Sequence, residues 1–273
     1  MIESKTVLVT GSTDGIGKET AKSLAQEGAT VLLHGRNKEK GANVLAAMKK
    51  ETVNEKLAFY PGDFAFFADI SAMAKTIIRD QPRLDILINN AGNFFNQYQT
   101  NEDGIEMTFA VNHLGPMLLT LLLVDLIKQS QPARIITIAS SAHQSINGKD
   151  LEDILFKKNS YDRFKAYGIS KLCNIYFTQE LADMLQGEDI FVNSLHPGVI
   201  DTKLLRKSYK MEGSSLQEGA STSIFLARSD DGAQTTGKYF SRKKERNPSL
   251  LAQDETVQEM IWEKSMEMLK PYL

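Results

Sequence analysis

Tyr167 and Lys171 stand four residues apart in Tyr167-Gly168-Ile169-Ser170-Lys171, within a run from Tyr161 to Gln186 whose apolar residues recur at helical spacing. That step puts a phenol and an ammonium on one helix face. A free phenol titrates near ~10 and is protonated at neutral pH, whereas a neighbouring cation favours the phenolate. The pair therefore has the makings of an acid/base that works near pH 7. The same spacing also describes a tyrosine at a core edge beside a solvated lysine, so the pair needs support from elsewhere in the chain.

A second chemically suggestive stretch is Gly11-Ser12-Thr13-Asp14-Gly15-Ile16-Gly17, between the apolar run Thr6 to Thr10 and a helical pattern ending near Glu27. Glycines at a strand-to-helix turn let the backbone approach a ligand, and the helix N-terminus offers unpaired N–H groups to a phosphate. The spacing is G-x-x-x-G-x-G, not G-x-G-x-x-G, and a ligand-free glycine-rich connection has the same composition. After the next strand, Ala29 to Leu33, come His34, Gly35, Arg36 and Asn37, with no acid among them. An acid there would hold a ribose 2′-hydroxyl; Arg36 suits a 2′-phosphate, with Ser12 and Asn37 as helpers. The alternative is a surface arginine without a task. Asp14 dissents, placing a negative charge in the same loop.

These groups need elements to position them. Leu57 to Tyr60 leads into Pro61-Gly62-Asp63, and Leu84 to Ile88 closes on Asn89-Asn90-Ala91-Gly92. Arg134 to Ile138 ends in Ala139-Ser140-Ser141, and Ile190 to Leu195 runs into His196-Pro197-Gly198. Six strands alternating with helical segments predict an α/β protein with one doubly wound parallel sheet of the Rossmann type, a single domain over residues 1–273. Such sheets bind ligands at the C-terminal ends of their strands, where these small and amide residues gather. No linker, repeat or low-complexity run divides the chain.

With 273 residues, 42% apolar and 24% charged, the chain can bury a sizeable core and has the balance of a soluble globular protein. A net charge of −2 gives no reason to expect nucleic acid or an anionic membrane as partner. Cys173 is the only cysteine, which excludes an intrachain disulfide and fits a reducing compartment. Met1 leads directly into a strand-like segment, and the longest apolar block, Met117 to Val124, is too short to span a bilayer. The expectation is a cytoplasmic protein with no membrane span. His34, His113, His143 and His196 lack metal-ligand spacing, so no metal is expected. The basic run Arg242 to Arg246 reads as a solvated loop, since nucleic-acid binding needs a wider basic surface.

From Lys5 to about Phe240 the chain resembles the short-chain dehydrogenase/reductase family. The resemblance rests on Thr10-Gly11-x-x-x-Gly15-Ile16-Gly17, Asn89-Asn90-Ala91-Gly92, Asn112, Ser140, Tyr167-x-x-x-Lys171 and Pro197-Gly198-x-x-x-Thr202, in the family's order. Phe109-Ala110-Val111-Asn112-His113-Leu114-Gly115, Ser140-Ser141-Ala142-His143, Phe177-Thr178-Gln179-Glu180-Leu181 and Gly237-Lys238-Tyr239-Phe240 are similar to its retinol-dehydrogenase-like branch. The resemblance implies that Tyr167 exchanges a proton with a carbonyl oxygen, that Ser140 hydrogen-bonds the same oxygen, and that Lys171 holds the nicotinamide ribose and lowers the Tyr167 pKa. It implies that Asn112 binds a water linked to the lysine. As cofactor-binding residues for NADP(H) it implies Gly11, Ser12, Gly15, Ile16, Gly17, Arg36, Asn37, Asp63, Phe64, Asn89, Ala91, Gly92, Tyr167, Lys171, Pro197, Gly198, Val199 and Thr202.

Pro116 follows Asn112 by four residues and has no N–H, so the Asn112 carbonyl loses its helical partner and the helix is expected to kink there. Leu204 to Ser215 is the expected substrate lid, with Gly213-Ser214-Ser215 as a possible hinge, and a striped helix over about 254–270 should close over the core. The reading is an NADP(H)-dependent oxidoreductase interconverting an apolar aldehyde or ketone and its alcohol, compatible with a homodimer or homotetramer. A catalytically silent NADP(H)-binding sensor is the alternative; it would have no need of Asn112, Ser140, Tyr167 and Lys171 together.

Overall fold

The computed structural model describes residues 2–157, 160–208, 212–229, 232 and 234–273. Its centre is an eight-stranded sheet of β1 (Thr6–Val9), β2 (Thr30–Gly35), β3 (Leu57–Pro61), β4 (Ile86–Asn89), β5 (Ala133–Ile138), β6 (Ile190–His196), β7 (Lys238–Ser241) and β8 (Lys244–Arg246). Their order is β3-β2-β1-β4-β5-β6-β7-β8. All neighbours pair in parallel except β7 and β8. The strand order reverses between β1 and β4, as in a doubly wound sheet. In β1, Leu8 packs into one apolar layer while Val7 and Val9 pack into the other, the period-two alternation of a strand buried on both faces.

One layer contains α1 (Gly15–Gln26), α2 (Lys38–Thr52) and α8 (Leu216–Arg228). The other contains α3 (Phe67–Asp80), α4 (Met107–Phe109), α5 (Gly115–Lys128), α6 (Arg163–Met184) and α9 (Glu255–Leu269). The short α7 (Lys203–Ser208) follows β6 at the C-terminal edge of the sheet. Between α4 and α5 the backbone makes a π-helical turn, Ala110–Leu114, in which the Gly115 N–H reaches back to the Ala110 carbonyl. Pro116 follows with no donor to give, and the expected kink takes the form of this widened turn, a feature common at functional sites. The resulting helix, Met107–Lys128, is long and apolar enough by length and composition to cross a membrane. Its apolar stretch is 78% buried, however, packed between α3 and α6 as a core helix.

Two expectations are corrected. The basic run is a tight turn and an edge strand: Arg242 and Lys243 adopt φ of 52° and 60°, and exposed β8 folds back on β7. A short charged edge strand of this kind blocks further pairing. β7 and β8 raise the strand number to eight because four- and three-residue strands leave little periodicity to read. Of the expected lid, residues 209–211 lie outside the described residues. At its expected hinge the Ser214 N–H donates to Val199 O at 2.8 Å and the Ser214 carbonyl accepts from Asp201 N at 2.9 Å.

The C-terminal helix appears as expected. Asp254 caps it, Trp262 stacks on Phe177 at 6.3 Å, and Ser265 Oγ meets His113 Nε2 at 2.9 Å inside the core.

Candidate active site

The C-terminal ends of β1, β4, β5 and β6 open into one cavity of about 820 Å³. Gly11, Gly15, Ile16, Gly17, Arg36, Asp63, Phe64, Ala91, Gly92, Pro197, Gly198, Val199 and Thr202 line it, together with Ser140, Tyr167 and Lys171. Residues some eighty to two hundred positions apart in sequence thus share one wall because the sheet order puts these strand ends side by side.

The glycine loop owes its shape to close approach. A Cβ on Gly17 would lie 2.3 Å from Asn90 Nδ2 and 2.5 Å from the Gly11 carbonyl, so only glycine lets α1 start there. Asn90 braces the loop: its Nδ2 donates to the Thr10 carbonyl at 2.8 Å, while Thr10 Oγ1 accepts the N–H groups of Asn90 and Ala91, both at 2.9 Å. Asp14 caps α1 and also accepts from Lys40 Nζ at 2.9 Å and Lys203 Nζ at 2.6 Å. Partial burial works against its charge, but the hydrogen bonds from Lys203 and Lys40 hold its carboxyl well below the usual carboxylate range. The acid that dissented in the sequence is therefore matched by two cations, one reaching over from α7.

Four of the expected residues do not face this cavity. Ser12 is buried, and its hydroxyl accepts from His34 N at 2.9 Å, which fastens the loop to β2. Asn37 is the N-cap of α2, accepting from Lys40 N at 2.7 Å, and turns toward a neighbouring dent. Asn89 is buried, donating to Thr120 Oγ1 at 2.9 Å. Asn112 is also buried, yet it supports the site: its amide pairs with both backbone groups of Asn93, at 2.7 and 2.9 Å, and donates to Ser170 Oγ at 3.2 Å.

Tyr167 and Lys171 both lie on α6. Lys171 is 3% exposed, its Nζ donates to the Ile138 carbonyl at 2.9 Å, and it sits 5.6 Å from the centroid of the Tyr167 ring. Burial pushes the ammonium down to about 8. The Tyr167 ring rests against Phe94, centroids 5.5 Å apart. Ser140 leaves β5 and caps the 3-10 turn Ser141–Ser145, its Oγ accepting from Ala142 N at 3.2 Å, which leaves its own proton to donate. That turn lies directly on α6 at Gly168, where a Cβ would meet Ile146 Cδ1 at 2.7 Å and the Ala142 carbonyl at 3.0 Å. Gly168, between the tyrosine and the lysine, thus sets how near Ser140 and Tyr167 come.

Sequence reasoning missed His34. It is buried, accepts Gly11 N–H on Nδ1 at 3.0 Å and donates from Nε2 to the Gly62 carbonyl at 3.0 Å. Burial pushes it down to about 4, so it is neutral and holds two cavity walls together. Nothing in the sequence flags this, because a histidine at a strand end has many uses.

The sequence profile of the short chain dehydrogenase family matches residues 5–150. Mouse retinol dehydrogenase 13 is 38% identical over 283 residues, covering 98% of this chain and 84% of its own length. Among solved structures, an uncharacterized protein from Mycobacterium Paratuberculosis superposes with a TM-score of 0.80 at 28% identity, over 97% of this chain and 93% of its own. The RhlG/NADP active-site complex from Pseudomonas aeruginosa superposes with a TM-score of 0.71 at 26% identity, over 86% and 93% of the two chains. The chain belongs to the short-chain dehydrogenase/reductase family, in its retinol-dehydrogenase-like branch.

Proposed function

We propose that the protein is an NADP(H)-dependent oxidoreductase that interconverts an apolar aldehyde or ketone and its alcohol, with Tyr167 as the acid/base. The observation that carries this reading is that Ser140, Tyr167 and Lys171 line the same cavity as the glycine loop and Arg36. The cavity suits a dinucleotide phosphate. It offers the N-terminus of α1 to the bridging phosphates, the exposed Arg36 to a 2′-phosphate, and a buried ammonium at the far end. NADP(H), the cofactor named in the relative's complex, supplies or accepts the hydride when bound.

The chain's own residues do the rest. Ser140 Oγ–H fixes a carbonyl oxygen and stabilises the charge that grows on it. Tyr167 delivers its proton to that oxygen, or removes it in the reverse direction. Lys171 favours the phenolate. The Asn112 amide holds Asn93 and Ser170, and Ser170 Oγ donates to the Tyr167 carbonyl at 2.8 Å, so one buried polar chain ties α6 to the strand end at Gly92. Phe95, Met107, Val111, Leu204 and Leu205 supply the apolar wall that supports an apolar substrate.

The test is NADPH absorbance with a panel of aldehydes and ketones of rising hydrophobicity. Oxidation of NADPH with the larger apolar carbonyls is the expected result; tight NADPH binding with no turnover on any of them would replace the enzyme by a sensor. Cofactor choice is tested at Arg36. A charge-assisted phosphate contact contributes about 1.5–3 kcal/mol. Arg36→Ala should therefore weaken NADPH binding roughly 10- to 100-fold and leave NADH almost unchanged. Wild-type protein that binds NADH as tightly as NADPH ends the assignment of Arg36.

A further inference from the structure

His143 has no part in the proton transfer described above, yet both of its ring nitrogens are engaged beside it. The residue is fully buried. Its backbone N–H and its Nδ1 both meet the Ser140 carbonyl, at 3.2 and 2.6 Å. A carbonyl only accepts, so Nδ1 carries the proton and Nε2 a lone pair. That lone pair accepts the Ser249 N–H at 3.1 Å. The ring edge is fixed against Tyr239, centroids 5.2 Å apart. An imidazole used at both nitrogens and shut off from solvent is a brace, not a proton carrier.

What it braces against is tied in turn to the helix of Tyr167. Ser249 leads into the 3-10 turn Leu251–Gln253, whose Leu251 carbonyl accepts from Tyr176 Oη at 2.6 Å. Tyr176 is itself buried on α6, in the helix that carries Tyr167 and Lys171. The contacts therefore close a loop running from Ser140 through His143, Ser249, Leu251 and Tyr176 into α6. Its other side is the direct packing of the Ser141–Ser145 turn on Gly168.

We propose that His143 is a positioning residue for Ser140: it ties the Ser140 carbonyl to the 249–251 segment, and through Tyr176 to α6, so that Ser140 and Tyr167 meet on one carbonyl oxygen. This rests on the reading that Ser140 and Tyr167 share the substrate oxygen. Misplacing such a group by about 1 Å can lower the rate ~10²-fold without touching cofactor contacts.

The experiment compares His143→Leu, His143→Asn, His143→Gln, Ser140→Ala and the Ser140→Ala/His143→Leu double variant, using the best carbonyl of the panel. Readouts are NADPH Kd by fluorescence, kcat, and the kinetic isotope effect with NADPD. His143→Leu should lower kcat roughly 10- to 100-fold with NADPH Kd within about threefold, and raise the isotope effect as hydride transfer becomes limiting. Asn places an amide N–H where Nδ1 stood, so His143→Asn should keep more turnover than His143→Gln, which reaches toward Ser249 and abandons the Ser140 carbonyl. The double variant should lose no more than Ser140→Ala alone, because His143 acts only through Ser140. A His143→Leu protein that binds NADPH normally and turns over within about threefold of wild type overturns the proposal. Should that variant fail to bind NADPH, the Asn and Gln variants decide, and equal losses in both overturn it. If Ser140→Ala itself turns over like wild type, the catalytic reading of Ser140 fails first and the positioning role falls with it. If only Ser140→Ala is impaired, the positioning role alone is wrong.

Discussion

Tyr167→Phe is expected to bind NADPH as wild type does and to lose turnover by ~10²–10⁴, the usual contribution of a positioned acid/base. The substitution removes one oxygen and keeps the ring. The ring is what packs on Phe94 at 5.5 Å and lies 5.6 Å from Lys171 Nζ, so the cavity wall and the buried ammonium stay where they are. The Tyr167 backbone carbonyl still accepts from Ser170 Oγ, so the polar chain from Asn112 into α6 also survives. What goes is the proposed proton source for the substrate oxygen. Ser140 remains to polarise the carbonyl, and with it a residual rate that should rise as pH falls, when solvent can protonate the product oxygen. Stopped-flow NADPH oxidation and equilibrium cofactor binding check the two halves separately. A Phe variant keeping more than about a tenth of the wild-type rate at neutral pH would remove Tyr167 from this role.

The residues that meet at the cavity were legible in the sequence because each sits at a strand's C-terminal end or on a helix whose period the chain displays. Glycine, serine, tyrosine and lysine at those ends are poor core residues, so they stand out against apolar strands such as Val7-Leu8-Val9. What was not legible is direction. Ser12 lies inside the glycine loop, yet its hydroxyl faces β2 because the His34 N–H needs a partner there. Asn37 has the chemistry of a phosphate helper, but an Asn immediately before a helix is also an N-cap signal, and in the structure it caps α2. His34, Asn90 and His143 bind through backbone groups of distant segments, and a contact to a backbone leaves no mark on the partner's residue type. The β7–β8 hairpin escaped for another reason: its turn residues are Arg and Lys at positive φ, where glycine or asparagine would have signalled the turn.

Lys171→Met should make the protein more stable and nearly inactive at once. Lys171 is 3% exposed, and burial pushes its ammonium from the ordinary 10.5 down to about 8. At about 1.4 kcal/mol per pH unit, that drop means that holding the charge in the folded chain costs about 3 kcal/mol. Below pH 8 folded and unfolded chains both carry the proton, so the whole cost is present at pH 7. Between about 8 and 10.5 the unfolded chain binds more protons than the folded one, so stability rises with pH and the cost disappears. Methionine keeps most of the aliphatic stem and removes the charge. The Ile138 carbonyl that Lys171 leaves still accepts from Asn174 Nδ2 at 3.1 Å, so no buried acceptor is orphaned. The variant should therefore be more stable than wild type by about 1–3 kcal/mol at pH 7, and the gain should shrink toward zero as pH climbs to 10.5. Turnover should fall by at least ~10², because in the proposed mechanism the phenol of Tyr167 depends on that cation to act as acid/base. Denaturant melts at pH 7 and pH 10, alongside NADPH oxidation rates, test both effects. A variant that is less stable at pH 7, or whose advantage does not narrow with rising pH, would show that the buried ammonium is not held at a cost; retained turnover would show that Tyr167 does not depend on it.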